Sequence, residues 1–66
     1  MAVKNRLKEI RMREYLMDPG EFAKLLGISN KVYWSWENDK SRPTLEKALE
    51  VADKLNKDVK DIWHLD

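Results

Sequence analysis

The chain carries two glycines and two prolines, and they fall at only three places, Pro19–Gly20, Gly27 and Pro43. Proline removes a helical hydrogen bond and glycine readily ends a helix, so these positions cut the chain into segments of helix length. None of the segments shows the alternation of a half-buried strand, and the expected class is all-α. With 66 residues and no cysteine, one small domain must hold together by packing alone, because a chain of this size buries only about 60% of its unfolded surface. The domain is expected to span residues 1–66 with its core at about 5–64. No large enclosed pocket fits such a body, and the lack of thiols removes disulfides, thiolate metal sites and cysteine nucleophiles.

The first segment sets Val3, Leu7 and Ile10 at helical spacing, with Asn5 or a neighbour as cap and charged residues on the other face. Asp18–Pro19–Gly20–Glu21 then reads as a capping acid, a proline in the first turn and a glutamate that reaches back, which predicts a helix from Pro19 to Leu26. Gly27 supplies the left-handed residue that ends it, and Ile28 the apolar contact that follows. Ser29 caps a third helix over Asn30 to Asn38, with Val32, Tyr33 and Trp36 on its buried face. The polar run Asn38–Asp39–Lys40–Ser41–Arg42–Pro43 is a loop whose first two residues tolerate positive φ. Thr44 caps the fourth helix, and Leu45, Ala48, Leu49, Ala52 and Leu55 form its apolar stripe. Asn56 ends that helix, and Asp58 with Asp61 starts a last short one that offers Val59, Ile62 and Trp63 to the core.

Thirteen basic residues stand against twelve acids, but the net charge of +1 conceals a polarity. Residues 1–17 hold five basic residues and two acids, a net of +3, whereas residues 44–66 hold four lysines and six acids, a net of −2. Such a skew can direct one face towards polyanions. Apolar runs such as Leu25–Leu26 and Val32–Tyr33–Trp34 fall far short of the roughly 18 residues of a membrane span. Met1–Ala2–Val3 does not resemble a signal peptide, so a soluble cytoplasmic protein without membrane contact is expected. His64 is the single histidine, and no serine or carboxylate pair is arranged around it by any recognisable motif. Nor is there a glycine-rich phosphate loop or a metal-ligand spacing, so no enzyme, cofactor or metal is expected.

Two short helices joined by Leu26–Gly27–Ile28–Ser29 meet the demands of a helix-turn-helix: glycine allows the sharp turn, Ile28 plugs the space between the helices, and Ser29 starts the second. The run Glu21–Phe22–Ala23–Lys24–Leu25–Leu26–Gly27–Ile28–Ser29 is followed by Trp36–Glu37–Asn38, by Arg42–Pro43–Thr44–Leu45, and by Leu55–Asn56, Val59 and Ile62. Together these resemble the lambda-repressor-like, Cro/cI-type DNA-binding domain, from about Leu7 to Trp63. The resemblance implies a five-helix bundle whose third helix lies in the major groove of double-stranded DNA while the second crosses the backbone.

With Tyr33 and Trp36 turned inward, Asn30, Lys31, Trp34 and Ser35 project outward and become the base-edge candidates. Asn30 suits adenine, Lys31 suits guanine, and the Trp34 indole suits thymine methyls, another protein, or the core if the helix is rotated. Phosphates are expected at the helix ends, on Pro19, Gly20 and Ser29, with Lys40 and Arg42 helping from the following loop. Pro19 stands where the family often has Gln, the loop before the second helix is one residue longer, and Asp39 replaces a frequent Gly. Arg11 and Glu37 match positions that in the family often form a buried ion pair between the first helix and the end of the third.

These readings describe a stand-alone transcriptional regulator, a repressor that binds a pseudo-palindromic operator as a homodimer and occludes polymerase. Its dimer contact is expected around the last two helices, at Val59, Trp63 and Leu65. The competing class is a protein-interaction module on the same fold, antitoxin-like or an anti-repressor partner, engaged through Trp34.

Overall fold

The computed structural model describes residues 2–66. A short strand, β1 (Val3–Asn5), leads into helix α1 (Leu7–Ile10), which runs on as a π-helical turn over Arg11–Tyr15. Helices α2 (Pro19–Leu26), α3 (Asn30–Glu37), α4 (Leu45–Lys54) and α5 (Val59–Ile62) follow, and the described chain closes with strand β2 (Trp63–Leu65). The fold is the expected five-helix bundle with a small two-stranded sheet added. Among the described residues no helix is long and apolar enough to cross a membrane.

The starts of α2, α3, α4 and α5 are closed by the residues whose chemistry announced them. Asp18 Oδ1 accepts the N–H of Glu21 at 2.8 Å while Glu21 Oε1 accepts that of Asp18 at 3.1 Å, a reciprocal capping box. Ser29 Oγ and Thr44 Oγ1 accept from Val32 and Lys47 at 3.1 and 3.2 Å, and Asp61 Oδ2 accepts the N–H of Asp58 at 3.2 Å. Helix ends depend on left-handed residues: Gly27 ends α2 at φ 75°, and Asn56 follows α4 at φ 55°.

The core joins Leu7 and Ile10 of α1 to Phe22, Ala23 and Leu26 of α2, Tyr33 and Trp36 of α3, Val51 and Ala52 of α4, and Leu55 and Ile62. Phe22 stands edge-on to Tyr33 at 5.6 Å between ring centroids, so an aromatic contact locks the two helices of the turn together.

Several local expectations are corrected. Val3 lies in β1, not on a helix, and pairs with Leu65 in an antiparallel ladder that also sets Lys4 against His64 and Asn5 against Trp63. Each strand is only three residues long, too short for a period-two pattern to show. Val32 is exposed, because Tyr33 and Trp36 alone fill the inward side of α3. On α4 the buried stripe is Ala48, Val51, Ala52 and the following Leu55, whereas Leu45 and Leu49 face outward. Small side chains let α4 approach the core closely, and that rotates the larger leucines away. Trp63 is reached as a strand residue and packs half-buried against Trp36.

Candidate nucleic-acid interface

The turn Gly27–Ile28–Ser29 brings the N-termini of α2 and α3 together: a Cβ built on Gly20 would stand 3.5 Å from Asn30 Nδ2. Backbone amides in the first turn of a helix lack intrahelical partners, and this junction leaves an unequal set of them. In α2, Pro19 has no N–H, the amide of Glu21 is taken by Asp18 Oδ1, and that of Phe22 by the Asp18 carbonyl. Among the described residues Gly20 alone is left to donate there. In α3 the amides of Val32 and Tyr33 are held by Ser29, so those of Asn30 and Lys31 are left. An anion at this junction would therefore meet more donors from α3 than from α2, with the positive ends of both helix dipoles behind it. Pro19 offers such an anion only van der Waals contact.

Of the four base-edge candidates, Asn30 and Lys31 are exposed and Trp34 is 57% exposed. Ser35 is half-buried, and its hydroxyl is 2.8 Å from that of Ser41. This contact closes the loop after α3, where the amides of Lys40 and Ser41 also bond the Ser35 carbonyl, at 2.8 and 3.3 Å. Asp39 turns the chain at φ 59°, a left-handed geometry that its short polar side chain tolerates. Lys40 and Arg42 are both exposed on this tied loop.

Behind α3, Arg11 extends from the π-helical turn into the interior. Its Nη2 lies 3.4 Å from Glu37 Oε1, its Nε donates to Tyr33 Oη at 3.3 Å, and its Nη1 donates to the Met17 carbonyl at 3.0 Å. The side chains of Arg11 and Glu37 are only 10% and 15% exposed. Burial opposes the Arg11 charge, but the bonds to Tyr33 and Glu37 outweigh it and raise the guanidinium pKa. Burial, then the Glu37 carboxylate, drives the Tyr33 phenol well above its ordinary value. Glu37 Oε2 is buried without a hydrogen-bond partner among the described residues. The cluster fixes α3 from behind and leaves its exposed side free. Tyr33's part in it could not be read from spacing, since only the fold brings its hydroxyl to Arg11.

Of the residues expected at a dimer contact, Trp63 and Leu65 line one groove and Val59 lies outside it. Val59 and Trp63 are half-buried and packed on the core, and Leu65 is 63% exposed. Trp63 and Leu65 line an open apolar groove of about 400 Å³ with Val3, Lys60 and His64. Among the described residues no group of three or more His, Asp or Glu side chains is placed to hold a metal ion.

A family model described as helix-turn-helix matches residues 7–62 of the chain. No curated protein matches it.

Proposed function

Because the chain belongs to the Cro/cI-like helix-turn-helix family of DNA-binding regulators, we propose that it is a repressor that binds a pseudo-palindromic operator as a homodimer. The observation that carries this reading is the junction of α2 and α3, where the unpartnered amides of Gly20, Asn30 and Lys31 stand beside the exposed side chains of Asn30, Lys31 and Trp34. The amides, with Ser29, Lys40 and Arg42, hold phosphates and set the register of the domain on the duplex. Asn30 and Lys31 read purine edges, each worth about 1–3 kcal/mol of discrimination, and Trp34 packs on thymine methyls. Ser35 acts at the groove through the loop that it closes.

One such module covers too little DNA for tight specific binding, so two copies join on two half-sites through Val59, Trp63 and Leu65. The bound pair represses by occluding polymerase, in the cytoplasm, without catalysis of its own. A second reading, a protein-interaction module of antitoxin-like or anti-repressor kind, is favoured by one observation: the Trp34 indole is more than half exposed on α3. Selection of bound sequences from a random duplex pool separates the two, with an Asn30→Ala, Lys31→Ala variant run beside the native chain at the same salt. A palindrome that is enriched by the native chain and altered by the variant supports groove readout. Enrichment no better than a salt-sensitive background rejects it in favour of a protein partner.

A further inference from the structure

The two-stranded ribbon lies outside the residues that the family model matches, yet it is bonded directly to α3. Asn5, the last residue of β1, donates from Nδ2 to the Trp36 carbonyl at 2.8 Å and to Asp39 Oδ1 at 3.3 Å. Its Oδ1 accepts the N–H of Leu7 at 3.1 Å, which fixes the amide orientation, since the reverse would set oxygen against oxygen on α3 and N–H against N–H on α1. Trp63, the partner of Asn5 in the ladder, stands edge-on to Trp36 with ring centroids 6.1 Å apart. One end of the ribbon thus grips the last turn of α3 by an amide from one strand and an indole from the other.

Resting on the reading of α3 as the recognition helix, we propose that Asn5 is a positioning residue for DNA recognition, a latch by which the ribbon sets the inclination of α3 in the groove. The N-terminal end of α3 is fixed by the Gly27 turn and the Ser29 cap. At the other end Glu37 is held by Arg11 and the Trp36 carbonyl by Asn5, so the latch shares with the ion pair the restraint on tilt about the N-terminal end. An α3 of eight residues is about 12 Å long, so a tilt of about 10° shifts one end against the other by about 2 Å. Recognition geometry tolerates only about 0.5 Å, so such a tilt separates specific from non-specific contact. The same bond to Asp39 holds the loop that carries Lys40 and Arg42.

Asn5→Asp tests this, because it keeps the acceptor for Leu7 and so the start of α1, but turns the donor aimed at Trp36 and Asp39 into an acceptor. Asp39→Asn added to it restores a donor facing residue 5, at a φ that asparagine adopts as readily. Hydrogen exchange is read at Asn38, Asp39 and Lys40 in the free protein, and affinity is measured for the selected duplex and for a scrambled one. Asn5→Asp is expected to speed exchange at those amides by about five- to thirtyfold, as the loss of one partly buried hydrogen bond predicts. It is expected to lower the ratio of selected to scrambled affinity by a similar factor while scrambled affinity stays level, and the double variant, which restores the bond at residue 39 but leaves two oxygens facing each other at Trp36, recovers both in part. Unchanged exchange and ratio would overturn the proposal, as would faster exchange throughout the chain with both affinities falling together, the mark of a merely structural role. If no duplex is selected, the DNA reading fails and positioning for DNA with it, while the exchange arm still decides whether the latch holds α3.

Discussion

Arg11 places a charge in an interior that a 66-residue chain can ill spare, and its three polar partners explain how the charge is tolerated there. Replacing it by methionine keeps the bulk but strands the Glu37 carboxylate, one of whose oxygens has no partner even now. Arg11→Met should cost about 3 kcal/mol in a urea titration, whereas Arg11→Met with Glu37→Met should recover most of it, as buried pairs exchanged for apolar residues usually do. Equal losses in the single and double variants would show that the pair is not the source of the cost. Tyr33 adds a pH signature. Its phenol keeps its proton in the fold above the ordinary value of 10.0, so at alkaline pH the unfolded chain gives up a proton that the folded one retains. Stability should be intact below about pH 10 and fall as pH rises beyond it. Tyr33→Phe, though less stable at neutral pH through loss of the Arg11 bond, should show a shallower decline between pH 10 and 11.5. A slope identical to the native chain's would show that Tyr33 is not the source of the alkaline loss.

At the scale of elements, what could be read in the sequence was what is decided within four residues. Asp18 with Glu21, Ser29 with Val32, and Thr44 with Lys47 bond across a single turn, and Gly27 closes α2 from its own φ. Leu45 and Leu49 were misplaced because local periodicity cannot choose between two adjacent stripes on one helix. That choice is made by how closely the rest of the fold lets α4 approach. The ribbon escaped for a related reason: Val3–Asn5 and Trp63–Leu65 have meaning only as a pair, and they sit at opposite ends of the chain. Leu16 was equally invisible, a leucine at φ 52° that is 84% exposed. A left-handed β-carbon costs about 1–2 kcal/mol, offset in part by the unfolded-state freedom that glycine adds. Leu16→Gly should therefore raise the unfolding free energy by about 0.5 kcal/mol, and Gly27→Ala, at φ 75°, should lower it by about 1 kcal/mol. In the second variant the new methyl also meets Lys54 Nζ, which a flexible side chain can move away at the expense of its 3.4 Å bond to the Leu26 carbonyl. Thermal melts of the two variants should move in opposite directions, and a common direction would mean that the turn geometry is not what sets the cost.

For the whole molecule the question is how a net charge of only +1 suits a DNA-binding domain. Total charge matters less than its distribution, because exposed charges farther apart than a Debye length of about 8 Å scarcely interact at physiological salt. Some acids of residues 44–66 are spent on caps and ion pairs, as Asp61 and Glu50 are, and what α4 turns to the α2–α3 junction is a lysine, Lys54, whose Nζ lies 3.4 Å from the Leu26 carbonyl. At the junction itself Asp18 is engaged by the Glu21 amide, and the loop beyond α3 offers Lys40 and Arg42. Phosphate contacts and base contacts should then separate experimentally. Each phosphate neutralised contributes about −0.9 to the slope of log affinity against log salt. Lys40→Ala with Arg42→Ala should reduce the magnitude of that slope by about 1.8 and weaken selected and scrambled duplexes alike. Asn30→Ala changes no charge, so it should leave the slope untouched while costing about 1–3 kcal/mol on the selected duplex alone. If Lys40→Ala with Arg42→Ala left the slope unchanged, the loop after α3 would not touch the backbone.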